Sequence, residues 1–160
     1  MTKEELRIIE KELDVVLPDE YIDIALRGEL EEYGAEDFYL DYKKIISTNK
    51  RLRKNGLHGV PLRHEHFIIG KCVSGGYYYI VLNNEDKKVY LADRSTYWRY
   101  NPEQLRMNSD SLDSFIKFTI GRYEICSRGK NRDPNAETRN LPLEEVYRRL
   151  AEMQEKHSGM

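Results

Sequence analysis

The stretch LRIIEKELDVVLPDEYIDIAL, Leu6 to Leu26, decides how this chain is read. Leu6, Ile9, Leu13 and Val16 recur at steps of three and four, giving one apolar stripe of an amphipathic helix. Glu4, Glu5, Glu10, Lys11, Glu12 and Asp14 take its other faces. Thr2 and Glu5 stand at the capping-box spacing, in which each side chain satisfies a backbone donor beside the other. Pro18 disfavours the helical conformation for Leu17 and has no amide to donate, so the first helix is predicted to end there. Pro18 also suits the start of a second helix, whose positive end Asp19 and Glu20 complement. Tyr21, Ile22, Ala25 and Leu26 are its expected inward face, with Gly28 as its stop. The product is a tight helix–turn–helix corner, a packing device that does not by itself imply DNA binding.

Downstream, Phe38-Tyr39-Leu40 with Ile45-Ile46 reads as a short strand or a strand and turn. The basic run Lys50 to Lys54 continues as a helical turn until Asn55-Gly56 breaks it, and residues 59–62 read as irregular chain. Three runs then carry branched and aromatic residues: Phe67 to Val73, Tyr77 to Leu82 and Lys88 to Ala92. Ser74-Gly75-Gly76 and the Asn/Asp-rich residues 83–86 separate them, the pattern of an antiparallel meander. Leu112, Phe115, Ile116 and Thr119 form a short helix, capped by Asp110 or Ser111 and ending near Gly121. Residues 127–140 read as a polar loop, and a last helix starts at Pro142. The expected fold is α+β, a mostly antiparallel sheet of four to six strands packed by N-terminal and C-terminal helices. Residues 1–121 are the expected core domain, and 122–160 a loop and helix docking on it.

A chain of 160 residues buries roughly 70% of its unfolded surface as one domain. No apolar run approaches the ~20 residues of a bilayer span, and the acidic start lacks the layout of a signal peptide. Cys72 and Cys126 are far apart and not at metal-like spacing, so two reduced thiols and a cytoplasmic location are expected. The formal net charge is −2, yet residues 1–42 carry fourteen acids against four bases, and residues 43–64 seven bases and no acid. Either the blocks neutralise each other in the fold, or one of them steers a charged partner.

The order of these elements resembles the SUKH superfamily, the Smi/Knr type of domain. The matching residues are Ile9-Glu10 and Leu13, Val16-Leu17-Pro18 with Tyr21, Ile69-Gly70, Tyr79 with Val81-Leu82, Val89-Tyr90, and Ser114-Phe115-Ile116. They span roughly residues 4 to 120. The chain departs from the family in closing its second helix with the single Gly28, where a Gly-Gly pair is common, and in running about 40 residues further. The resemblance implies a helix-backed antiparallel sheet and a non-enzymatic role without cofactors. It implies a protein partner, as in bacterial immunity proteins that neutralise polymorphic toxins, often nucleases. The alternative is a regulatory or scaffolding module of the same fold, and a metal- or nucleic-acid-binding protein is the third reading.

No nucleophile–base pair or paired acid stands at a telling spacing, so no catalytic residue is assigned. His64 and His66, with His58, would share a metal only if they faced one side of a strand; a polar, solvent-facing strand start is the preferred reading, and no metal ligand is assigned. Ser74-Gly75-Gly76 lies between strands, where a phosphate cradle would lead into a helix. Nucleic acid is disfavoured by the acidic N-terminal block, despite Lys50 to Lys54 and the tyrosines. Tyr97, Trp98, Arg99 and Tyr100 are residue types enriched at binding hot spots and are candidates for a partner-facing edge, with core packing as the competing account. Glu29, Glu31, Glu32, Glu36 and Asp37 are candidates for an acidic surface that would meet the basic cleft of a nuclease toxin, against a solvated loop.

Overall fold

The structure, a computed structural model, describes residues 1–83, 85 and 87–130. The helix expected from Pro142 and most of the loop expected over residues 127–140 lie outside them. The chain divides into two compact units, residues 1–116 and 117–160. The first unit holds three helices, α1 (Lys3–Leu13), α2 (Asp19–Arg27) and α3 (Tyr42–Asn55), and a 3-10 turn over Glu31–Tyr33. It also holds four strands, β1 (His66–Lys71), β2 (Tyr77–Val81), β3 (Val89–Ala92) and β4 (Met107–Ser109). The strands pair antiparallel in the order β1-β2-β3-β4, the expected meander with one short strand more. Helix α4 spans Leu112–Lys130.

The N-terminal corner forms with its hinge moved. The capping box is present, with the Glu5 amide donating to Thr2 Oγ1 at 3.2 Å and the Thr2 amide to Glu5 Oε2 at 2.7 Å. Helix α1, however, stops at Leu13, because Asp14 enters the left-handed region at φ 52° and its amide donates to the Glu10 carbonyl. The Glu10 carboxylate then accepts the Leu17 amide at 2.9 Å, which bends the chain before the proline. Leu17 is thereby buried and Val16 is 78% exposed, so the fourth member of the predicted stripe points to solvent. In α2 the buried residues are Tyr21, Ile24 and Ala25; Ile22 and Leu26 are half-buried at its margins. Tyr21 joins this corner to the sheet, with ring centroids 5.3 Å from both Phe38 and Phe67.

Ile45-Ile46 belong to α3 and not to a strand. Asp41 caps this helix by accepting the amide of Lys43 at 2.9 Å, and Ile45, Thr48, Asn49 and Leu52 fall on one buried face. Asn49 is fully buried and serves β1 directly. Its Nδ2 donates to the Ile45 and Ile68 carbonyls, and its Oδ1 accepts the Ile68 amide at 2.9 Å. Residues 36–39 run beside the same strand, with the Tyr39 amide donating to the Ile69 carbonyl and the Lys71 amide to that of Glu36, both at 2.7 Å. Gly70 permits this approach: a Cβ there would lie 1.7 Å from the Asp37 carbonyl oxygen. Helix α4 is capped by Ser111, whose Oγ accepts the Ser114 amide at 3.1 Å, and it continues through Gly121. An interior glycine costs a helix only about 1 kcal/mol and does not stop it.

Candidate partner-binding surface

The site is built on the connection between β3 and β4, residues 93–106. Its base is closed by the Asp93 amide donating to the Trp98 carbonyl at 2.7 Å and by the Leu91 amide donating to that of Arg106 at 3.0 Å. Asn101 turns the chain, its side chain accepting the Glu103 amide at 3.0 Å. Arg106 Nε donates to the Tyr97 carbonyl at 3.1 Å, and its guanidinium lies 4.3 Å from the centre of the Tyr97 ring. Tyr97 meets Trp98 edge-to-face at 5.3 Å.

A second segment grips this loop. Leu57 and Val60 exchange both backbone hydrogen bonds around His58 and Gly59, whose φ values of 56° and 84° are those of a type I′ turn. A left-handed histidine costs roughly 1 kcal/mol, and the contacts it makes offset that. Its Nδ1 accepts the Tyr100 amide at 3.0 Å, and its carbonyl accepts Arg99 at 3.2 Å. From the core side the Tyr100 hydroxyl accepts the Arg63 amide at 3.2 Å and lies 2.8 Å from Nδ1 of His66. Which of the two donates is set by the His66 tautomer. Burial holds both imidazoles below their ordinary value, with Arg99 acting in the same direction on His58.

The candidate residues are thereby divided. Tyr97 is 62% exposed, Arg99 is exposed and Trp98 is half-buried. Tyr100 is 3% exposed and belongs to the core, where it packs on His66 and Tyr79. It anchors the edge and is not part of it. Glu29, Glu31, Glu32 and Glu36 are exposed, whereas Asp37 is buried because the chain around it lies against Gly70. Glu36 pairs with Lys44 at 2.7 Å and Glu29 with Arg27 at 3.3 Å. Among the described residues no cation pairs with Glu31 or Glu32. Much of the charge asymmetry is resolved internally: Lys50 reaches Glu12, and Arg53 donates to the Leu13 and His64 carbonyls.

His64 is exposed before β1 while His66 is buried at its start, so the two do not share a face of one strand, and His66 is not the solvent-facing residue expected. Among the described residues no group of three or more His, Cys, Asp or Glu is placed to hold a metal ion. None of their helices is long and apolar enough to cross a membrane. Ser74-Gly75-Gly76 is a hairpin turn, as expected, and Ser74 Oγ donates to Asp93 at 2.6 Å.

Two features were not read from the sequence. A cleft of about 450 Å³ lies between the turn and the loop, lined by His58, Tyr97, Arg99, Gln104 and Arg106 among others. Arg106 comes from beyond the Asn101 turn and carried no local signal. A larger groove of about 700 Å³ gathers Asp19, Glu20, Asp23 and Asp113 with Arg27 and Lys87. Asp113 joins that set because its amide donates to Glu20, 93 positions away.

A family model, the SMI1/KNR4 family (SUKH-1), matches residues 1–117. The chain belongs to the SMI1/KNR4 (SUKH-1) family. Comparison with curated proteins and with solved structures returns no match. SUKH-1 membership is consistent with an immunity-type, protein-binding domain, and the α+β architecture of this SUKH-1 chain agrees with it.

Proposed function

We propose that this SUKH-1 domain is a non-enzymatic immunity protein of bacterial type that binds and neutralises a toxin in the cytoplasm. The observation that carries the reading is the loop over residues 93–106, tied from two sides and presenting Tyr97 and Arg99 outward beside the half-buried Trp98. Anchored aromatics and arginines lose little conformational entropy on binding, which is why they dominate interface energies. Glu31 and Glu32 supply a secondary acidic edge suited to a nuclease, whose active-site cleft is basic.

The test is co-expression with the toxin-like C-terminal domain encoded by a neighbouring open reading frame. Rescue of growth by the wild-type chain, lost in Y97A/R99A with folding intact, is the expected result. Rescue that survives the double substitution moves the interface elsewhere. Failure of any neighbouring toxin-like domain to bind leaves the regulatory-module reading in its place.

A further inference from the structure

The cleft between the His58 turn and the 93–106 loop has a charge that singles out its occupant. Arg99 and Arg106 both line it, and no carboxylate does. Neither guanidinium has a carboxylate partner among the described residues. Among the described residues Arg99 donates only to the His58 carbonyl, and Arg106 only through Nε to the Tyr97 carbonyl. The Arg106 guanidinium is held over the Tyr97 ring by its Nε bond, and its terminal nitrogens have no hydrogen-bond acceptor among the described residues. A fixed guanidinium with a free fork is the geometry that binds carboxylate through two parallel hydrogen bonds. The apolar walls, Val60, Pro102 and the Tyr97 ring, suit side chains next to that carboxylate.

We propose that this cleft seats an acidic segment of the partner protein, with an Asp or Glu carboxylate held between Arg99 and Arg106. The inference rests on the protein-binding reading above and names the chemistry of the partner's contact. It does not depend on which toxin is bound. Phosphate and single-stranded nucleic acid offer the same charge, and the experiment separates them.

The test is a titration of the full chain followed by 15N NMR, including the arginine Nε–H signals. Its probes are capped hexaglutamate, capped hexaglutamine, inorganic phosphate and decathymidylate. Hexaglutamate is expected to shift the Tyr97 and Arg99 amides and both Nε–H signals saturably, and hexaglutamine to leave them unmoved. R99Q and R106Q should each weaken the peptide about ten-fold, the loss of one charge-assisted pair. R94Q, an exposed charge outside the cleft, should change it less than about two-fold. An equal effect of R94Q would mean non-specific attraction and overturn the proposal. So would shifts that do not saturate, or displacement of the peptide by phosphate or decathymidylate at lower concentration. Should R106Q lose the folded spectrum, R99Q alone decides, since Arg99 is exposed. The titration needs no toxin, so it can fail while growth rescue succeeds, or succeed while rescue fails.

Discussion

The Tyr100 hydroxyl lies 2.8 Å from Nδ1 of His66, joining the base of the exposed loop to the first residue of β1. The amide of the same tyrosine donates to Nδ1 of His58. Two neutral imidazoles therefore hold one residue by its two ends, and the exposed Tyr97 and Arg99 are positioned by that clamp. A mobile loop would lose entropy at every binding event; this one has lost much of it on folding.

Replacing Tyr100 by phenylalanine tests the clamp at its buried end. The ring stays to pack on Tyr79, while the Arg63 amide and His66 Nδ1 lose a common partner. Leaving buried polar groups unpaired costs about 1–3 kcal/mol. Urea denaturation of Y100F should show a loss of that size with an unchanged slope. A change under about 0.5 kcal/mol would mean that the hydroxyl bond is not formed in solution.

The clamp also sets a pH dependence. Both histidines are held below the ordinary value of 6.5 by burial, so the unfolded chain binds their protons more readily than the folded one. Their contribution to stability is complete above that value and is lost as pH falls from it through the folded values. Glu12 and Glu36 are held low by their hydrogen bonds to Lys50 and Lys44, and their share is lost only below the carboxylate value of 4.5. Thermal melts should thus be flat between about pH 7 and 9, below the ordinary tyrosine value of 10, and on acidification decline first in the histidine window. In H58N, where asparagine tolerates the left-handed backbone, that early decline should shrink. An identical early decline in H58N would remove His58 from the account.

The same contacts explain what could be read from the chain. The meander, the capping box and the Ser111 cap were legible because each rests on neighbours within a few positions. Helix α3 was misread at Ile45-Ile46, where branched residues suggested a strand, although Asp41 before the 45, 48, 49, 52 spacing carried the helical signal. Strand β4 has three mostly exposed residues and no alternation to read; pairing with β3 makes it a strand. At the site, Tyr97 and Arg99 stood out by type. The burial of Tyr100 depends on His58, Arg63 and His66, some 34 to 42 positions away, and no local pattern encodes it.

Asn49 offers a test of how β1 is held to α3. Its amide satisfies both backbone groups of Ile68 where the register of β1 shifts against β2. N49A should cost about 3 kcal/mol, because the Ile68 amide and carbonyl are left buried without a partner. N49D keeps the acceptor and loses the donors, and should also destabilise. Hydrogen exchange reports the cause directly: the Ile68 amide should lose protection in N49A and keep it in N49D at neutral pH. Equal protection in N49A and wild type would show that another group serves that amide.

Gly70 is the point at which the sheet admits the segment after the 3-10 turn. Any side chain there would place its first carbon within 2 Å of the Asp37 carbonyl oxygen, a backbone atom with no rotamer to yield. Either residues 36–39 separate from β1 or β1 itself shifts, and both routes break the bonds from Tyr39 to Ile69 and from Lys71 to Glu36. G70A should therefore cost on the order of 3 kcal/mol or more, far above the effect of an ordinary strand glycine, where alanine is tolerated or stabilising. Gly59 is not a fair control because its φ is positive; Gly121, in a helix with open space around it, is. G121A should be neutral or raise the midpoint slightly. A G70A protein as stable as G121A would mean that residues 36–39 do not lie against β1, and the buried position of Asp37 would fall with that contact.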